Sequence, residues 1–169
     1  MTDWAFWGCM PFLVAALVTD IRSMRIPNRI TVSAWLGGLL AQSLINGWHG
    51  LLLSVIGAAG GFAVMLLLHL IGAVGAGDVK LFAGIGAWTG IIFTAQVIMY
   101  SILFGAVIGW IIALRRKESG RRLRKVFGKV AGLVVLRNLG IAKSGGGDLL
   151  KFPFMLAVLP AVVCAYLYY

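Results

Sequence analysis

Carboxylates are scarce enough in this chain to be weighed one at a time. The acids are Asp3, Asp20, Asp78, Glu118 and Asp148, set against 15 Lys and Arg and two His. Asp20 closes one apolar run, and Asp78 opens another directly after Gly75-Ala76-Gly77. Ionisable groups at membrane depth are costly and are therefore functional candidates by default. Two carboxylates in one low-dielectric site do not easily both ionise, so such a pair holds one proton between its members. One member can then act as base on a water while the protonated member polarises a peptide carbonyl. That is the chemistry of aspartic proteolysis, and Asp20 with Asp78 is the expected catalytic pair.

The residues before Asp78 suit that chemistry. Gly75 and Gly77 allow close backbone approach, so an extended substrate strand can lie alongside the carboxyl group. A position at a helix N-terminus favours the Asp78 anion, which leaves Asp20 as the favoured proton holder. The plainer reading is that either Asp merely caps a helix. The Gly-x-Gly-Asp pattern also occurs twice, because Gly145-Gly146-Gly147-Asp148 fits it. That second copy follows Ser144 in a polar glycine hinge with no long apolar run immediately upstream. Asp78 is therefore the expected partner of Asp20.

The elements that must position this pair are membrane spans. Of 169 residues, 61% are hydrophobic and only 12% charged, against roughly a quarter charged in soluble domains. A mean hydropathy of +0.99 excludes both a soluble globule and a disordered chain. A bilayer core of about 30 Å takes roughly 20 helical residues. Apolar runs cover 4–19, 30–45, 51–74 and 152–169, and 81–114 carries no charge. The last of these would be about 51 Å long as one helix, so it should break, around Thr89 to Thr94. The expectation is an all-α, polytopic bundle of six transmembrane helices, one domain over 1–169.

Charge supports that count. With the N-terminus outside, the cytoplasmic segments fall at about 20–29, 75–80 and 115–151, and these hold all 15 basic residues. Five spans would put Arg115 opposite Arg22 and break the positive-inside rule. Both termini are expected to be extracytoplasmic. The N-terminus has no basic stretch and no clear cleavage site, so the first span reads as a retained helix. The net charge of +10 reports topology rather than nucleic-acid binding. The segment from Gly120 to Lys143 reads equally as an interfacial helix on anionic lipid or as a solvated polybasic loop.

Other residues carry weaker signals. Pro27 fixes a turn and Asn28 is placed to cap the second helix. Lys80 can hold a substrate carboxylate or a lipid phosphate. His69 has no acid nearby in sequence, and His49 falls in an outer loop. Neither shows a metal partner, so a structural role is expected and no metal or other cofactor is implied. Cys9 and Cys164 sit in apolar runs and read as buried inert thiols. Gly57/Gly61, Gly86/Gly90 and Gly105/Gly109 suggest close packing within the bundle, with dimerisation as the sharper alternative.

Two segments together resemble a known family. Asp20-Ile21-Arg22-Ser23-Met24-Arg25-Ile26-Pro27-Asn28 is similar to the first aspartate motif of the type IV prepilin peptidases. Gly75-Ala76-Gly77-Asp78-Val79-Lys80-Leu81 resembles their second motif, GxGDxKL. Phe152-Pro153-Phe154 is more loosely similar to the opening of their last helix. The resemblance implies a membrane aspartic endopeptidase of the bacterial inner membrane. Such an enzyme removes the basic leader of prepilins at the cytoplasmic face, with Asp20 and Asp78 catalytic. It implies a prepilin partner whose leader meets the pair while its apolar N-terminal helix docks among the spans. The chain has no CxxC, which larger N-methylating members carry, so it resembles the short, peptidase-only branch serving Tad/Flp-type pili. Two rivals remain on residues alone. A small proton-coupled transporter component would carry its paired acids near the bilayer midplane. A non-catalytic assembly protein would keep the fold without the chemistry.

Overall fold

The computed structural model describes residues 3–115 and 153–168, and within them the ordered elements are all helices. These are α1 (Asp3–Ser23), α2 (Asn28–Leu70), α3 (Ala76–Thr89), α4 (Ile91–Arg115) and α5 (Met155–Tyr168). The basic segment from 116 onward lies outside the described residues. With it go Glu118, the interfacial helix weighed over 120–143, the second Gly-x-Gly-Asp copy with Asp148, and Phe152.

The register of α1 carries its acid inward. Phe6, Cys9, Leu13, Ala16 and Asp20 recur at three- and four-residue spacing and are all buried. That spacing keeps them on one face of a helix with 3.6 residues per turn. The packing stripe of α1 therefore ends in a carboxylate.

Helix α2 has 43 residues and would be about 64 Å long if straight. It is broken at Gly47, whose φ of 57° and ψ of −141° lie outside the helical region. Positive φ is open to glycine at little cost, since there is no Cβ to clash. Past the break the chain folds back on itself, and a side chain on Gly50 would run into the Gln42 carbonyl.

The halves of α2, 28–46 and 48–70, hold α3 between them. Ala34 meets Gly84 and Gly38 meets Ala87 from the first half, while Gly57 meets Gly86 and Gly61 the Phe82 carbonyl from the second. Nine of the 14 residues of α3 are buried, so it is an enclosed helix rather than a surface one. Its last carbonyls would be orphaned in an apolar interior. Side chains of α2 supply the donors: Ser54 Oγ gives its proton to Ala87 O at 2.7 Å and Gln42 Nε2 donates to Trp88 O at 2.6 Å. In return, Trp88 Nε1 donates to Ala34 O at 2.8 Å. Helix α5 packs mainly on α4 and also on α1. Its Tyr166 ring stacks on Phe6 with centroids 3.9 Å apart.

The sequence leads one to expect six separate spans, and the structure differs in two respects. The runs 30–45 and 51–74 are two helices joined directly at the Gly47 kink, with no loop between them, and the second ends at Leu70. Of the five helices, α1, α2 and α4 are long and apolar enough to cross a membrane. Helices α3 and α5 have 14 residues each, about 21 Å. The break expected between 89 and 94 falls at Gly90, where φ is 80°. Helix α3 can be short because it is wrapped by protein, not lipid, on most of its surface. The two cysteines are free, Cys9 buried and Cys164 only half-buried.

Candidate active site

Asp20 lies in the last turn of α1 and Asp78 in the first turn of α3. Each is 7% exposed, and α1 and α3, the helices that carry them, are in contact. Two acids 58 positions apart in the sequence thus share one site at the ends of their helices.

Each carboxyl is held by a backbone donor from a helix N-terminus. Gly75 N–H donates to Asp78 Oδ2 at 3.1 Å, and Asp78 N–H donates back to Gly75 O at 3.1 Å. Met155 N–H, the first of α5, donates to Asp20 Oδ2 at 3.1 Å. The dipole argument that singled out Asp78 as the anion therefore does not separate the two, because α5 offers its N-terminus to Asp20. Asp78 Oδ1 is buried with no hydrogen-bond partner. A buried acceptor left unpaired is costly as part of an anion. That oxygen suits a shared proton or a water held between the acids.

The two aspartate motifs touch directly. A Cβ on Gly77 would stand 3.1 Å from the Cβ of Ile26, so only a bare backbone lets the turn before α2 lie on the start of α3. Lys80 Nζ donates to Asn28 Oδ1 at 2.9 Å. Asn28 consequently does not cap α2: the N-cap position belongs to Pro27, at φ −62° and ψ 139°, with no side-chain cap bond. The ring of Pro27 fixes the backbone there, and the Asn28 amide is taken up by the ammonium. Among the described residues, Lys80 is also the one charged side chain lining an apolar groove of about 360 Å³ beside Thr31, Trp35, Ala58 and Phe62.

The site thus unites Asp20, Asp78, Gly75, Gly77, Lys80, Pro27 and Asn28 across α1, α2 and α3. Two contributors escape sequence reasoning. The Met155 amide is a backbone group that any residue there could supply, so nothing in its identity signals it. His69 has no acid nearby in sequence, yet its Nδ1 stands 2.8 Å from Val74 O, in the peptide group whose Gly75 N–H donates to Asp78. The signal available was its place, just before the glycine-bearing loop 71–75. Among the described residues, no three His, Cys, Asp or Glu side chains cluster as a metal site.

Comparison with known proteins places this geometry in context. The type IV leader peptidase family matches residues 7–112, well over half of the chain and the stretch holding both acids. A prepilin leader peptidase/N-methyltransferase of Bacillus subtilis (strain 168) is 40% identical over 112 residues, 65% of this chain and 45% of that protein. Proteins of the same description from Aeromonas salmonicida (strain A449) and Pectobacterium carotovorum subsp. carotovorum are 37% and 32% identical. These matches cover 64% and 68% of this chain, and 40% and 44% of theirs. The chain therefore matches less than half the length of these curated relatives. No solved structure gives a significant match.

Proposed function

The chain belongs to the type IV leader peptidase family, and we propose that it is a membrane aspartic endopeptidase with Asp20 and Asp78 as its catalytic pair. The observation that carries this reading is the placing of two buried carboxyls at the ends of two helices that pack on each other, each carboxyl tied by one backbone N–H. In the proposed reaction the ionised carboxylate takes a proton from a water, which attacks the scissile carbonyl carbon. The protonated carboxyl polarises the carbonyl oxygen, and the proton gained passes to the departing amine. Products are a carboxylic acid and an amine, which ionise in water to carboxylate and ammonium, and the pair ends with one proton, as it began.

The substrate we infer is a prepilin, the class named for the relatives. Its basic leader would be removed at the cytoplasmic face of the bacterial inner membrane. Both acids lie at helix ends, where an extended leader can reach them. A transporter's proton relay would instead carry its acids along mid-span. The absence of any CxxC favours peptidase activity without N-methylation. We read the fold as six crossings, counting the two halves of α2 separately on the strength of the Gly47 break.

The testing experiment is cleavage of a prepilin by purified protein in detergent or liposomes. Asp20→Asn and Asp78→Asn should each abolish cleavage, since Asn cannot take and return the proton. The double variant should be hardly worse than either single one, because the pair acts as a unit. Chelators should leave the rate unchanged. Robust turnover by either single variant rejects the pair.

A further inference from the structure

The loop that delivers Asp78 is pinned at its upstream end. Helix α2 terminates with Ala73 N–H on Leu68 O at 3.0 Å and Gly72 N–H on His69 O at 2.8 Å. Gly72 sits at φ 80°. This is the six-to-one and five-to-two closure of a Schellman motif, whose left-handed position favours glycine. The His69 ring then reaches past this turn, with Nδ1 2.8 Å from Val74 O. A carbonyl oxygen only accepts, so Nδ1 must carry the proton.

The bonded peptide group is the one that holds the catalytic acid. The Val74 carbonyl and the Gly75 N–H belong to one planar unit. Its oxygen faces His69 Nδ1 at 2.8 Å, and its N–H faces Asp78 Oδ2 at 3.1 Å. Rotating this plane would break both bonds together. A bond to the oxygen also polarises the N–H on the other side, since hydrogen bonds in series strengthen one another.

We propose that His69 is a positioning residue of the peptidase, fixing the Val74–Gly75 peptide plane so that its N–H holds the Asp78 carboxyl in place. His69 touches no reacting atom, so its influence passes through one peptide group. The proposal rests on the peptidase reading above, but its geometric core does not depend on activity.

The test therefore has two arms on the full chain in detergent. In the first, His49→Gln leaves His69 as the one histidine, and nitrogen-15 labelling reads its tautomer at alkaline pH, where the ring is neutral. Protonated Nδ1 with bare Nε2 is expected, and a proton on Nε2 overturns the proposal whatever the cleavage assay gives. In the second, prepilin cleavage is compared across three variants. His69→Leu and His69→Gln should lower kcat by roughly three- to ten-fold, the scale of one hydrogen bond, with KM within about two-fold. His69→Asn, whose amide N–H can stand where Nδ1 stands, should recover most of the loss. Wild-type kcat in His69→Leu, or His69→Asn as poor as His69→Leu, overturns the positioning role. Failure of the wild-type protein to cleave overturns the peptidase reading, and the tautomer still decides the contact.

Discussion

A single methyl group at Gly75 tests how tightly the Asp78 carboxyl is held. A Cβ there would stand 3.1 Å from Asp78 Oδ2, the oxygen that takes the Gly75 N–H. Contact at that distance makes the carboxyl give way by a few tenths of an ångström and lengthens its bond to the Gly75 N–H. Gly75→Ala should therefore lower kcat about ten-fold, the scale of a hydrogen bond to a charged group, while KM stays near the wild-type value. Undiminished kcat in the purified variant would mean that the bond from Gly75 does not set the position of Asp78. The glycines and acids of this motif are legible in sequence because their roles depend on spacing along one turn. The role of Asn28 is not, because it is decided by Lys80, 52 positions away. Nor is the balance between the two carboxyls, which turns on the Met155 amide of a distant helix.

Helices α2 and α3 approach so closely that their glycines work as an interface. A Cβ on Gly86 would collide with the backbone of Gly57, whereas one on Gly109 of α4 meets nothing within 4 Å. Gly86→Ala should destabilise the protein by about 1–3 kcal/mol through overpacking. It should also impair cleavage, because α3 carries Asp78. Gly109→Ala should be neutral, or up to about 1 kcal/mol more stable, since Ala is the better helix former. Thermal unfolding of both variants in detergent checks this, and equal melting temperatures would contradict the close packing of α2 on α3. The apolar runs and the need for a break near Gly90 were readable, because length and hydropathy are local properties. That 30–45 and 51–74 join through Gly47, and that α3 is shorter than a bilayer, were not. A half-buried apolar run and a fully enclosed one look alike in composition, and only the partners of Gly57, Gly61 and Gly84 separate them.

At the scale of the whole molecule, the question is which side of the membrane the pair faces, and charge gives the answer to test. Arg22 follows Asp20 by two positions, and Lys80 follows Asp78 by two. The acids thus share a helix end with basic residues, and Arg115 is the last residue of α4. Basic residues near span ends are retained on the cytoplasmic side, where anionic lipid also attracts them. If the pair is cytoplasmic, residue 2 must be outside and the segment 116–151 inside. Cys9→Ala with Cys164→Ala removes the native thiols, and Thr2→Cys or Ser144→Cys then adds one probe at a time. A membrane-impermeant maleimide should label Thr2→Cys on intact spheroplasts and Ser144→Cys only after permeabilisation. The reverse pattern would put Asp20 and Asp78 on the outer face, away from a leader still attached to its cytoplasmic precursor. The proposed cleavage would then have no access to its substrate, however well the two carboxyls meet.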